Sequence, residues 1–179
     1  MLSYTSDLKI THFKYCWGRG TILLLNTRTE KIMTLKNNNQ LIETMTSLML
    51  IHYQYRQHGC LCIQTVVDQL KEPFLKKGLQ MFVDGIGPQY IKDALKEDFH
   101  PNDVYQNLVL EGVFMLSSNK PTTILEEKFK TYLSTEDQVK LEVMTKGVLD
   151  DWKDHSETIE GGNQVIIEHL KRHEKWINY

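Results

Sequence analysis

Leu41, Met45, Leu48, His52 and Tyr55 follow one another at steps of four and three. That period lays them along one stripe of an α-helix and cannot line one face of a strand. Asn37-Asn38-Asn39 offers capping side chains ahead of it, so the stripe predicts a helix over about residues 38–57, interrupted at Gly59. The helical period then persists to the end of the chain, punctuated by glycine and proline. Residues 60–71 read as a further helix, and Pro73 suits the first turn of the next, where its missing N–H is not needed. In EPFLKKGLQMFVDG, Phe74, Leu75, Gly78, Leu79, Phe82 and Val83 form one face, and Lys76, Lys77 and Gln80 the other. Asp84-Gly85 stops it, because glycine tolerates the left-handed conformation of a helix end.

Further breaks fall at Pro88, at His100-Pro101 and at Asn119-Lys120-Pro121. Between them lie a short helix to about residue 97, one over about residues 102–117 with Val104, Leu108, Leu110, Val113, Phe114 and Leu116, and one through Leu125, Phe129, Tyr132 and Leu133. Ser134-Thr135-Glu136-Asp137 reads as a helix start with acids where the dipole favours them. Leu141, Met144, Val148 and Trp152 line the face that follows. Glu160-Gly161-Gly162-Asn163 reads as a turn, and Ile166, Leu170, His173 and Ile177 as a last stripe.

Only the first 36 residues depart from this pattern. Residues 10–17 and 21–26, either side of Gly18-Arg19-Gly20, read as a β-hairpin, which is marginal in water unless it packs on something or pairs with another chain. The expected fold is mainly α: a compact bundle of short amphipathic helices with a small N-terminal β-hairpin. The expected parts are a hairpin appendage over residues 1–36, a helical domain over 37–133, and a C-terminal helical pair over 134–179 packed on it.

Composition narrows the function. A net charge of −2 gives no nucleic-acid footprint and no polybasic membrane anchor. The longest aliphatic run, residues 22–25, is far short of the ~20 residues a bilayer span requires. No secretory leader is evident, and three cysteines (Cys16, Cys60, Cys62) make no disulfide framework, so a reduced, cytoplasmic setting is expected.

Catalytic and metal patterns are weak. Cys60 and Cys62 point about 200° apart on a helix, and His58 with Cys62 supplies two ligands where zinc takes four. His169 and His173 have ligand spacing but lack the glutamate of an HExxH helix. No phosphate loop, nucleophile elbow or dinucleotide fingerprint occurs, and no cofactor is expected. A small metal-binding or enzymatic protein using these Cys and His residues is the alternative reading.

Two blocks carry a resemblance. Residues 39–95 hold Arg56, Gly59, Pro73, Phe74, Leu75, Lys77, Gly78, Leu79, Gln80, Val83, Asp84 and Gly85. Residues 108–133 hold Glu111-Gly112, Pro121, Glu126-Glu127-Lys128 and Leu133. In this order and spacing they resemble the cytoplasmic segments of the MotA/PomA-type flagellar stator subunit. In that family membrane helices precede the first block, and a pair of them separates the two. Here only residues 96–107 intervene, too short and too charged for a span. The resemblance therefore implies a soluble, non-enzymatic interaction module that conducts no ions, with a flagellar motor or stator-like component as protein partner. It places the partner contacts on Arg56, Lys76, Lys77, Glu126 and Glu127. The hairpin is the expected route to any homo-oligomer.

Overall fold

A computed structural model describes the backbone of residues 19–177 apart from residue 101, and the side chains of residues 38–172 with the same exception. Eight α-helices make up most of the described residues: α1 (Arg19–His58), α2 (Gln64–Gln69), α3 (Pro73–Val83), α4 (Pro88–Glu97), α5 (Val104–Ser117), α6 (Thr122–Lys130), α7 (Thr135–His155) and α8 (Ile159–Ile177). No strand occurs among the described residues. The chain divides into two units, residues 1–36 and 37–179. The expected hairpin has its first arm, residues 10–17, outside the described residues, and residues 21–26 fall within the span of α1.

Many boundaries follow from local chemistry. Glu72 caps α3 by accepting from the Phe74 and Leu75 N–H groups, and Pro73 occupies the first turn. Gly85 ends α3 at φ +75, a conformation that suits glycine. Asp103 caps α5 through Tyr105 N and Gln106 N, and the Ser134 hydroxyl accepts from Asp137 N at the start of α7.

Three expectations are corrected. No helix starts at Asn38: α1 runs through the asparagines, and the Asn38 amide donates to Asp137 Oδ2 at 2.8 Å instead of capping. Residues 60–71 are not one helix. A single 3-10 turn (Cys60–Ile63) leads into α2, and the backbone is extended by Leu70, ahead of the Glu72 cap and Pro73. Glu160-Gly161-Gly162-Asn163 is no turn but the opening of α8; the break before it is at residues 156–158. A Cβ on Gly161 would run into the His155 carbonyl, and one on Gly162 into the Gln54 side chain. Both glycines are required by close packing, which local sequence signals do not report.

The C-terminal half of α1 is central to the second unit. Leu41, Ile42, Met45, Leu48, Met49, Leu50, Ile51 and His52 are all buried, and so are Thr44, Thr46, Ser47 and Gln54. One expected stripe thus becomes burial on nearly every side. The three hydroxyls remain satisfied by donating to the carbonyls of Gln40, Ile42 and Glu43, one turn back.

Helix α7 runs parallel to residues 38–54 of α1, joined by a ladder of polar contacts with nearly constant offset: Asn38–Asp137, Thr46–Thr145 at 3.2 Å and Gln54–Trp152 at 2.8 Å. At 1.5 Å per residue, the sixteen positions from Asn38 to Gln54 extend this ladder over about 24 Å. At its far end, Gln57 Nε2 and the His58 ring bond the Ser156 carbonyl, and the Tyr53 and Trp152 rings pack 5.9 Å apart. Helix α8 folds back along α7 and reaches the 3-10 turn, where Asn163 Nδ2 donates to the Cys62 carbonyl at 2.6 Å.

Candidate functional site

The five charged residues expected to contact a partner are dispersed over three helices. Arg56, exposed near the end of α1, donates to Asn119 Oδ1 at 2.7 Å. Its acceptor lies in the α5–α6 connection, where Asn119 adopts φ +52. Lys76 and Lys77 are neighbours on α3 but reach opposite ways. Lys76 Nζ donates to the Asp68 carbonyl near the end of α2, and Lys77 Nζ to the Ala94 carbonyl and to Asp98 Oδ2 on the α4 side. Glu126 and Glu127 sit on α6, where both meet Lys130, which also pairs with Glu142 of α7. Those three carboxylates hold the Lys130 ammonium above its ordinary pKa. The structure brings Glu126 and Glu127 together, and Lys76 beside Lys77, but each charge is already spent on a neighbour within the chain, Glu127 least.

Several of the cysteine and histidine candidates are buried or engaged within the chain. Cys62 is buried, its Sγ–H donates to the Gln54 carbonyl, and burial pushes its thiol up to about 11. His58 is occupied by the Ser156 carbonyl, and His169 is buried on α8. The His173 side chain lies outside the described residues. Among the described residues, no three His, Cys, Asp or Glu side chains gather where they could hold a metal ion.

His52 is a polar group that the sequence reading assigned only to an apolar stripe. It is 1% exposed, its Nδ1 bonds Thr122 Oγ1 at 2.8 Å, and its Nε2 has no hydrogen-bond partner. Burial first, and the Arg56 guanidinium second, lower its pKa to about 4, so the ring is neutral near pH 7.

The surface also carries apolar groups that the sequence reading did not single out as a site. Tyr90 is 76% exposed, Leu61 74% and Val143 69%, with Ile86 and Val139 also exposed. The unit that bears them is acidic as a whole. Residues 37–179 carry fifteen Lys and Arg against twenty-one Asp and Glu, whereas residues 1–36 carry six against two. The near-neutral total conceals this division between the two units.

Helix α3 closes on α4 and α5 at Gly78, and α5 closes on α1 at Gly112. A Cβ on Gly78 would lie 3.1 Å from Leu95 and 3.2 Å from Val113, and one on Gly112 would lie 2.7 Å from Leu48. No helix among the described residues is long and apolar enough to cross a membrane. No protein-family model matches the chain, and neither a curated protein nor a solved structure matches it.

Proposed function

We propose that the chain is a non-enzymatic protein-interaction module resembling the cytoplasmic part of a flagellar stator subunit. In this reading it serves as a regulator or accessory of a motor or stator-like complex. The supporting observation is the direct closure of the two stator-like blocks. Gly78, in the first block, lies against Val113 in the second, and Gly112, in the second, lies against Leu48 in the first. Both glycines are among the residues that carry the resemblance. Their lack of side chains lets the blocks pack where the stator subunit inserts a pair of membrane helices between them. In this reading the body acts by binding a protein partner. Arg56 and Glu127, the most exposed of the five charged candidates, would form rim contacts that favour specificity over affinity.

The test is capture of the tagged, full-length chain from its own cells after mild cross-linking. Recovery of a motor or stator-complex protein supports the reading; reproducible recovery of none refutes it. Stoichiometric zinc in the purified chain would also overturn it, by reviving the metal-binding alternative.

A further inference from the structure

The outer face of α4 and the loop before it expose two apolar side chains, Tyr90 and Ile86, among acidic residues. Tyr90, Asp93 and Glu97 follow at steps of three and four, which places them on one stripe of the helix, and Ile86 precedes Tyr90 by four residues. All four are exposed, as is Asp84 at the end of α3. Asp84, Asp93 and Glu97 form no ion pair with another described residue; Asp84 accepts from the Gln80 amide and Asp93 from the Gln89 amide. The nearby lysines are mostly directed elsewhere. Lys77 is bound to Asp98, and Lys92 sits 4.7 Å over the Phe114 ring, leaving Lys96 as the flanking cation.

A Cβ on Gly87 would stand 3.7 Å from Tyr90 Cδ2, so the ring lies beside the loop backbone. A surface tyrosine offers a large contact area with only two side-chain rotations to fix on binding. The exposed valines of α7 lack such a bias: Glu136, Lys140, Glu142 and Lys146 surround Val139 and Val143 with both signs of charge.

We propose that this face of α4, with Ile86 and Tyr90 as apolar anchors and Asp84, Asp93 and Glu97 as rim, docks a basic amphipathic helix of a protein partner. The inference rests on the interaction-module reading and adds to it a location and a partner chemistry. Three unpaired carboxylates around two anchors favour a cationic occupant, and the acidic unit that bears them attracts it over longer range. The same charge repels anionic lipid headgroups, which sets a membrane surface aside.

The test is a titration of the isotopically labelled full chain, followed by amide NMR, with a synthetic amphipathic leucine–lysine peptide and its leucine–glutamate twin. Shifts centred on residues 84–97 with the lysine peptide, and none with the glutamate twin, are expected. Truncating an aromatic anchor commonly costs about tenfold or more in affinity, so Tyr90→Ser is expected to weaken binding by at least that factor. Asp93→Asn combined with Glu97→Gln is expected to weaken it and reduce its salt dependence. Absence of shifts, shifts centred elsewhere, equal response to the glutamate twin or to phosphatidylserine vesicles, or undiminished binding by Tyr90→Ser would each overturn the assignment. The two failures are distinguishable in the capture experiment. A partner recovered equally by wild type and Tyr90→Ser removes this location but leaves the interaction reading, whereas no partner for the wild type removes that reading.

Discussion

Replacing Gly162 with alanine would be favourable in an isolated helix, since alanine is the better helix former by about 1 kcal/mol. In this protein it is expected to destabilise. The new Cβ would stand 2.9 Å from Gln54 Cδ and closer still to Gln54 Oε1. Gln54 is fully buried, and both ends of its amide are committed: Oε1 accepts from Trp152 Nε1 at 2.8 Å, and Nε2 donates to the Ile159 carbonyl at 3.1 Å. Moving the amide aside leaves a buried donor and a buried acceptor unpaired, at about 1–3 kcal/mol each. Set against the helix-propensity gain, the net loss is about 1–5 kcal/mol, with about 3 as the central value. For a chain of this size that corresponds to a fall in Tm of roughly 6–12 °C. Urea unfolding followed by circular dichroism measures it directly. The decisive control is a Gln54→Ala background, in which the clash is gone and Gly162→Ala is expected to become neutral or mildly stabilising. A Gly162→Ala variant as stable as wild type would refute the reasoning. So would a cost that persists undiminished beside Gln54→Ala.

Gly147, also within a helix, is expected to behave oppositely. It is exposed in the middle of α7 with nothing near its would-be Cβ, so Gly147→Ala is expected to stabilise by about 0.5–1 kcal/mol in the same unfolding assay. Glu72→Ala removes the α3 cap; a loss of about 1–2 kcal/mol is expected by denaturant midpoint. His52 predicts a pH dependence. Its folded pKa of about 4 lies below the unfolded value of 6.5, so as pH falls from 6.5 the unfolded chain takes up a proton that the folded chain does not. Stability is therefore expected to decline from pH 6.5 toward pH 4 and the His52 contribution to level off below that. A His52→Gln variant compared across that range should show a shallower decline.

The sequence by itself determined several of the local features of this protein. Pro73 opening α3, Gly85 closing it, Ser134 capping α7 and the stripe from Phe74 to Val83 each depend on residues within about one helical turn, and all are legible from spacing and backbone chemistry alone. The charges at Arg56, Lys76, Lys77, Glu126 and Glu127 were equally legible as charges. Lys130 follows from its spacing to Glu126 and Glu127 within α6, whereas the partners Asn119, Asp68 and Asp98 follow from how the helices lie together. Only the tertiary structure decided that Asn38 ties down α7, that Gln54 reaches both Trp152 and the start of α8, and that Gly161 and Gly162 belong to a helix. Apart from that of Gly161 with the nearby His155 carbonyl, these contacts join residues about a hundred positions apart. A glycine that admits a tight turn and a glycine that admits a buried glutamine have the same neighbours in sequence, and steric exclusion by a distant side chain separates them. The exposure of Tyr90 on α4 has the same origin: an aromatic at helical spacing is core or surface according to which face the neighbouring helices cover.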